Sequence, residues 1–148
     1  MILCNLPEEI KFTIIIIHIH TMILILTHKE DVHADIVISK ISSLGYNFFR
    51  FNIDKESLEK SYLDFNDGVW KIHQNNRQIF HTQIRVIWPR NTFVELTVEE
   101  SLVQDSEFVI WKNEWNKVLN GFLFSLRDKV WLNFYRDGYA ADNKLGLD

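Results

Sequence analysis

The most apolar stretch of the chain lies near its amino terminus, where residues 12–27 contain no Asp, Glu, Lys or Arg. The second part of this stretch, Ile23 to Thr27, precedes polar residues and a helical pattern, which is typical of a central strand covered on both faces. Asp31 stands at a helix N-cap position, and Gly45 at the C′ position that takes a positive φ. The helix between them carries apolar residues on one side: Val32, Ile36, Val37, Ile41 and Leu44. With the next apolar run, Phe48 to Phe51, this pattern predicts an α/β domain with a parallel sheet.

Three short segments then predict a small antiparallel meander inserted in the α/β frame. They are Tyr62 to Phe65, Val69 to Ile72 and Gln78 to Phe80. The first two are joined through Asp67-Gly68, a pair that favours a type I′ hairpin turn because glycine readily takes positive φ.

The last part of the chain predicts a core strand, a long helix and a final strand. The core strand is Ile84 to Trp88, and the final strand is Val130 to Phe134. Thr97 and Glu100 have the spacing of a capping box at the start of one long helix. The apolar stripe of that helix is Leu102, Val109, Trp111, Trp115, Val118, Phe122 and Leu126.

Composition narrows the class of protein. A chain of 148 residues, 47% hydrophobic and 24% charged, is typical of one soluble globular domain. The net charge of −4 gives no basic surface, so nucleic acid is not an expected partner. The single cysteine, Cys4, excludes an internal disulfide and fits a reducing, cytoplasmic location.

Residues 1–21 do not fit the domain pattern. The uncharged run is shorter than the roughly 20 residues of a membrane span and contains His18 and His20, and Glu8 and Glu9 replace the basic start of a signal peptide. We expect no membrane association, with Met22 as the natural start and residues 1–21 as an upstream extension. An added edge strand and a weak membrane anchor are the alternatives.

The candidate functional residues lie at the carboxyl ends of the predicted parallel strands, where open α/β sheets bind ligands. His28, Asp31 and His33 follow the first strand, and Arg90 follows the strand Ile84 to Trp88. The planar fork of Arg90 suits a carboxylate or a phosphate. The alternatives are a helix cap for Asp31, an exposed position for His33 and a surface ion pair for Arg90. We find no glycine-rich phosphate loop and no catalytic triad. His18 and His20 could lie on the same side of a strand, as in some metal sites, but no acid or third His follows at a suitable spacing. We therefore predict neither a catalytic residue nor a metal site in this chain.

The segments Thr27 to Asp35 and Phe49 to Asp54 together resemble the opening of the ATP-grasp peptide ligases that make microviridin-type graspetides, including the grasp-with-spasm maturases. Trp88 and Arg90, the Glu114-Trp115 pair with Gly121, and Asn143-Lys144 agree with later segments of that family. Pro89 and Asn91-Thr92 depart from its pattern.

The resemblance implies a Rossmann-like pre-ATP-grasp domain over residues 22–141, with a mainly parallel sheet, flanking helices and the small meander. Residues 142–148 would begin the ATP-grasp domain that the chain lacks. Full-length relatives would use ATP and Mg²⁺ to phosphorylate an Asp or Glu side chain of a precursor peptide. A Thr or Ser hydroxyl or a Lys amine would then close a macrocycle.

By the same resemblance, this chain alone would be inactive and would hold no cofactor. Its partners would be the precursor peptide and the ATP-grasp catalytic domain, in cis or as a separate subunit, with a homodimer also allowed. Its candidate substrate or interdomain contacts would be His28, Asp31, His33, Arg90, Asn143 and Lys144. Two alternatives have no catalysis: a standalone module that binds a peptide or a partner, and a flavodoxin-like regulatory domain.

Overall fold

A computed structural model describes Pro7 and residues 22–103 and 105–132. In chain order these residues form β1 (Met22–Thr27), α1 (Val32–Ser43), β2 (Asn47–Asn52), α2 (Lys55–Leu58), β3 (Tyr62–Asn66), β4 (Val69–Gln74), β5 (Arg77–Phe80), β6 (Ile84–Pro89), α3 (Val98–Leu102), α4 (Ser106–Ser125) and β7 (Val130–Trp131). None of the helices in this part of the chain combines the length and the hydropathy of a membrane-spanning segment.

A four-stranded parallel sheet in the order β2-β1-β6-β7 forms the frame. The predicted α/β class and the central position of the first strand are therefore confirmed. In β1, Leu24 lies between Phe49 of β2 and Ile87 of β6, and all three side chains are buried. An uncharged strand suits this position because it has a neighbour on each side and a packed layer on each face.

The main core lies on one face of the parallel sheet. Leu24 and Leu26 of β1 pack there against Leu119, Phe122 and Leu123 of α4 and against Ile72 of β4. The opposite face carries Ile25, because side chains alternate along a strand.

Helix α1 packs on that opposite face. Its Asp35 pairs with Arg50 of β2, and Arg50 lies beside Ile25 in the register. Ala34 is the buried residue of this helix, whereas Val32 and Ile36 are 66% and 63% exposed. The predicted inward stripe through Val32, Ile36 and Leu44 is therefore wrong. The small Ala34 turns inward, which places Ile36 about 160° away on the outer side.

The predicted meander is confirmed as a separate antiparallel sheet in the order β3-β4-β5. Asp67 and Gly68 both have positive φ, at 49° and 78°, as a type I′ turn requires. The meander packs on α4 through Trp70 of β4, whose ring meets Phe122 edge to face at 5.8 Å.

The predicted long helix is two helices. Thr97 and Glu100 form the expected capping box, but only α3 follows it. Val103 is extended, and Asp105 caps α4 by accepting from the Phe108 backbone N–H at 2.8 Å. Asp105 was not predicted as a cap, although a second N-cap provides a place for the helix to restart. The final strand is observed as Val130–Trp131, and residues 133 and 134 lie outside the described part of the chain.

The buried side chain of Gln74 connects the two sheets. Its Oε1 accepts from the Asn52 backbone N–H at 2.7 Å, and its Nε2 donates to the Asn52 carbonyl at 2.8 Å. Nε2 also donates to the Ser61 hydroxyl at 2.8 Å. The amide thus takes the place of a neighbouring strand at the end of β2, and it satisfies backbone groups that would otherwise be buried without partners.

We predict that Gln74→Leu lowers the free energy of unfolding by about 2 kcal/mol, because it leaves both Asn52 backbone groups unpaired. Urea unfolding monitored by tryptophan fluorescence would measure the change. Gln78→Leu, at an exposed position of β5, is the matched control and should change stability by less than about 0.5 kcal/mol. Equal effects of the two substitutions would contradict the role assigned to Gln74.

Candidate functional site

The parallel sheet has a topological switch point between β1 and β6, where the strand order reverses. From β1 the chain moves outward to β2, whereas β6 lies on the other side of β1. A crevice between two such strands is where open α/β sheets bind ligands. Asp31 follows β1 and Arg90 follows β6, so both predicted residues meet at this crevice.

Asp31 is buried and fully engaged. One carboxylate oxygen accepts from the Ala34 backbone N–H at 3.0 Å, which confirms the predicted helix cap. The other accepts from the Thr27 hydroxyl at 2.5 Å and from Arg90 Nε. Burial alone would raise the pKa of Asp31, but the bonds from Thr27, Arg90 and Ala34 outweigh it and hold that pKa well below its usual range.

Arg90 is held in place, but the terminal nitrogens of its guanidinium can still donate hydrogen bonds. Its backbone N–H donates to the Leu26 carbonyl at 2.9 Å, and its guanidinium lies 5.4 Å from the centre of the Trp88 ring. A third of its side chain is exposed. Its two terminal nitrogens have no hydrogen-bond partner among the described residues, so they can donate to a carboxylate that enters the crevice.

A polar cavity of about 300 Å³ lies beside this crevice, at the same edge of the sheet. It is lined by His28, Lys29, Glu30, Asp54, Lys55, Glu56, Glu95, Leu96, Thr97 and Glu100. Asp54 links the loop after β1 to helix α2. Its carboxylate accepts from the backbone N–H groups of Lys29 at 2.9 Å and of Ser57 at 3.0 Å.

Lys29 and Glu56 form an ion pair in the cavity wall. The hydrogen bond from Lys29 and a second from Lys60 lower the pKa of Glu56 to about 2. The same contact with Glu56 raises the pKa of Lys29. Both groups are therefore charged over the whole neutral range.

The charges of this cavity do not fit ATP with Mg²⁺. Five of its lining residues are acids and two are lysines. A triphosphate needs cationic groups or a loop of converging N–H groups, and no group of three or more His, Cys, Asp or Glu in the described residues could hold a metal ion. The cavity suits a neutral or cationic group, and we derive no nucleotide chemistry from it.

The sequence-predicted residues divide into four sets. His28 lines the cavity, while Asp31 and Arg90 bind each other at the crevice. His33 is exposed in the first turn of α1 and does not line the cavity. Asn143 and Lys144 lie outside the described residues.

The sequence pattern did not predict four of the cavity residues: Lys29, Asp54, Glu56 and Glu95. The available signal was the position of Asp54 after the second strand, where it caps α2.

We predict that Asp31→Asn lowers the free energy of unfolding by about 1 to 3 kcal/mol at pH 7, because Arg90 loses its charged partner. The folded-state pKa of Asp31 is depressed, so its contribution is complete above the unfolded pKa of about 4 and is lost as the pH falls through the folded pKa. The difference between wild type and variant should therefore shrink from pH 4 downwards. Urea titrations at several pH values would measure it.

Asp64→Asn is the control, because Asp64 forms an exposed ion pair with Lys71 at 3.5 Å. It should change stability by less than about 1 kcal/mol at any pH. A difference between Asp31→Asn and wild type that stayed constant down to pH 2 would contradict the assignment.

The fold is similar to that of three solved enzymes. The macrocyclase MdnB from Microcystis aeruginosa MRC is 30% identical over 84% of this chain and 41% of its own, with a TM-score of 0.69. MdnC from the same organism, solved with the precursor peptide MdnA, is 20% identical over 84% and 41%, with a TM-score of 0.69. A Chryseobacterium gregarium RiPP-associated ATP-grasp ligase, solved with ADP and a leader and core peptide, is 23% identical over 86% and 42%, with a TM-score of 0.59.

The second and third of these likenesses show the fold alone. The chain spans about two fifths of the length of each enzyme. No curated protein matches the chain. The family model described as the MvdD pre-ATP grasp domain matches residues 22–138, and the chain belongs to that family.

Proposed function

We propose that this chain is the N-terminal domain of an ATP-dependent peptide ligase. The ligase joins Asp or Glu side chains of a ribosomal precursor peptide to Thr, Ser or Lys side chains of the same peptide, which closes a macrocycle. The observation that carries the proposal is the family match over residues 22–138. The 30% identity to the macrocyclase MdnB supports the same reaction class.

In this proposal the described residues form one wall of the ligase cleft and leave the nucleotide chemistry to an ATP-grasp part outside them. The acidic lining of the cavity supports this division of labour, because it would repel a triphosphate. The ATP-grasp part joins in cis or as a separate subunit, and the complete ligase functions in the cytoplasm, as a monomer or as a homodimer.

Arg90 is the residue of this wall that we assign to contact with substrate or with the neighbouring domain. Its terminal nitrogens are available at the crevice, whereas Asp31 keeps its Nε occupied and its plane fixed. A carboxylate could accept two parallel bonds from such a preoriented fork. His28 and His33 are weaker candidates, one in the cavity and one on the adjacent helix turn. Asn143 and Lys144 stay proposed interdomain contacts.

Isolation from the native host would test the proposed function. An antibody against the described domain should recover an ATP-grasp polypeptide, either fused to this chain or bound to it. With ATP, Mg²⁺ and the precursor peptide, the material should remove one water per cross-link from the peptide, as measured by mass spectrometry. Recovery of the domain without any ATP-grasp polypeptide, and without ATP-dependent water loss, would favour the standalone binding module instead.

In that isolated ligase we predict that Arg90→Lys lowers kcat/KM for the precursor peptide about 10- to 100-fold, because lysine keeps the charge but loses the fork. Arg85→Lys is the matched control, since Arg85 is an exposed arginine on β6, the strand that Arg90 follows. It should leave kcat/KM unchanged. An unchanged kcat/KM in Arg90→Lys would remove Arg90 from the contact surface.

A further inference from the structure

Strand β3 is an open edge of the meander. Within the described residues it pairs only with β4, and the two-residue turn Asp67-Gly68 sets the register between them. Asn66 and Val69 flank that turn and form its closing hydrogen-bonded pair, so hydrogen-bonded and non-bonded pairs alternate away from it.

Phe65 and Leu63 are the residues of β3 whose backbone groups point outward. Phe65 lies opposite Trp70, and the Trp70 N–H points away from β3, to His81 Nδ1 at 3.0 Å. This makes Phe65–Trp70 a non-bonded pair, and Leu63–Ile72 is the next one by alternation. Leu63 and Phe65 therefore present two N–H and two C=O groups to the open side, with no backbone partner among the described residues.

An apolar groove of about 290 Å³ lies beside this open edge. One wall is Ser61 and the start of β3, Tyr62 and Leu63. The other is a single face of α4, formed by Trp111, Glu114, Trp115 and Val118 at three- and four-residue spacing. None of these residues lines the polar cavity at the carboxyl edge of the parallel sheet.

We propose that an extended, apolar peptide segment binds here by adding a strand to β3. Its backbone would bond to Leu63 and Phe65, and every second side chain would enter the groove against Trp111 and Trp115. Strand addition at an exposed edge gives affinity through the main chain and selectivity through the pockets for alternate side chains.

The size of the surface favours a peptide over a second copy of the chain. Strand β3 has five residues and extends about 17 Å, and the groove is lined by seven residues, whereas a stable protein–protein interface involves roughly 20 to 30 residues on each side. The only charged side chain in the groove lining is Glu114, which pairs with Lys117 at 2.8 Å. The groove therefore selects apolar side chains and disfavours acidic ones.

The identity of the segment as part of the precursor peptide rests on the proposed function. Binding of an extended peptide at β3 does not depend on the proposed function, so an experiment can contradict one without contradicting the other. Ligation by the isolated enzyme without binding at β3 would remove only this inference.

Amide hydrogen exchange on the full 148-residue chain tests the site. The probe is acetyl-Lys-Thr-Val-Thr-Val-Thr-Lys-amide, whose valines would face the groove and bond to Leu63 and Phe65. At ten times Kd, exchange at these two amides should slow about tenfold. Exchange at Asp64 and Asn66, which already bond to β4, should not change. The same peptide with both valines N-methylated is the control and should protect neither amide.

Two substitutions on α4 test the groove separately. Trp111→Ala should weaken binding of the probe about tenfold or more, as the loss of an aromatic anchor does. Phe124→Ala is the matched control, because Phe124 is half exposed and does not line the groove. It should leave Kd unchanged. Thermal unfolding of both variants confirms that they fold.

Three outcomes would overturn the proposal. Absence of protection at high probe concentration would exclude strand addition. Slow exchange of Leu63 and Phe65 in the free, dilute chain would mean that the chain covers its own edge. Protection that grows with chain concentration, together with a dimeric mass, would assign the edge to a second copy.

Discussion

The structure depends on the burial of β1 from both sides and both faces. Leu24, Ile25, Leu26 and Thr27 have no exposed surface. A strand in that position cannot carry a charged side chain without a large desolvation cost. The polar groups of this part of the fold are therefore placed beyond the strand end, in the loops that follow β1, β2 and β6. The crevice with Asp31 and Arg90 and the adjoining cavity both arise there.

The two candidate surfaces have opposite physical character. The carboxyl edge of the parallel sheet is polar and mostly satisfied internally, since Asp31, Asp54 and Glu56 already accept hydrogen bonds. The edge of the meander is apolar, and its outward backbone groups, which lie beside two tryptophans, have no backbone partner in residues 22–103 and 105–132. The carboxyl edge suits a charged ligand group, and the meander edge suits an extended backbone. The two surfaces therefore suit two different kinds of recognition.

Most of the frame could be predicted from local patterns. The strand, cap, helix and glycine from Ile23 to Gly45, the Asp67-Gly68 hairpin and the parallel character of the main sheet all follow from periodicity and turn chemistry. The family resemblance was also detectable, because it rests on several segments in order. The errors occurred where tertiary packing decides. The small Ala34 determined which side of α1 faces the sheet, and a strong N-cap at Asp105 divided a helix that periodicity alone would continue.

The candidate site was predictable only in part. Asp31 and Arg90 could be placed at strand ends, but their mutual bond depends on the order of strands in the sheet, which no local pattern contains. The cavity residues Lys29 and Glu56 are distant in sequence and meet only through the fold. The role of Gln74 could not be predicted from the sequence either, because an isolated polar residue in a strand usually faces solvent.

The side-chain link at Gln74 has a mechanical consequence. Within the described residues, side chains and not a ladder of backbone bonds join the meander to the parallel sheet. Gln74 bonds to Asn52, and Arg77 donates to the Phe48 carbonyl at 2.8 Å. Ile72 and Ile79 of the meander are buried in the same core as the parallel strands. The meander therefore cannot separate from the parallel sheet without exposing that core, and we expect the two sheets to open together as one cooperative unit.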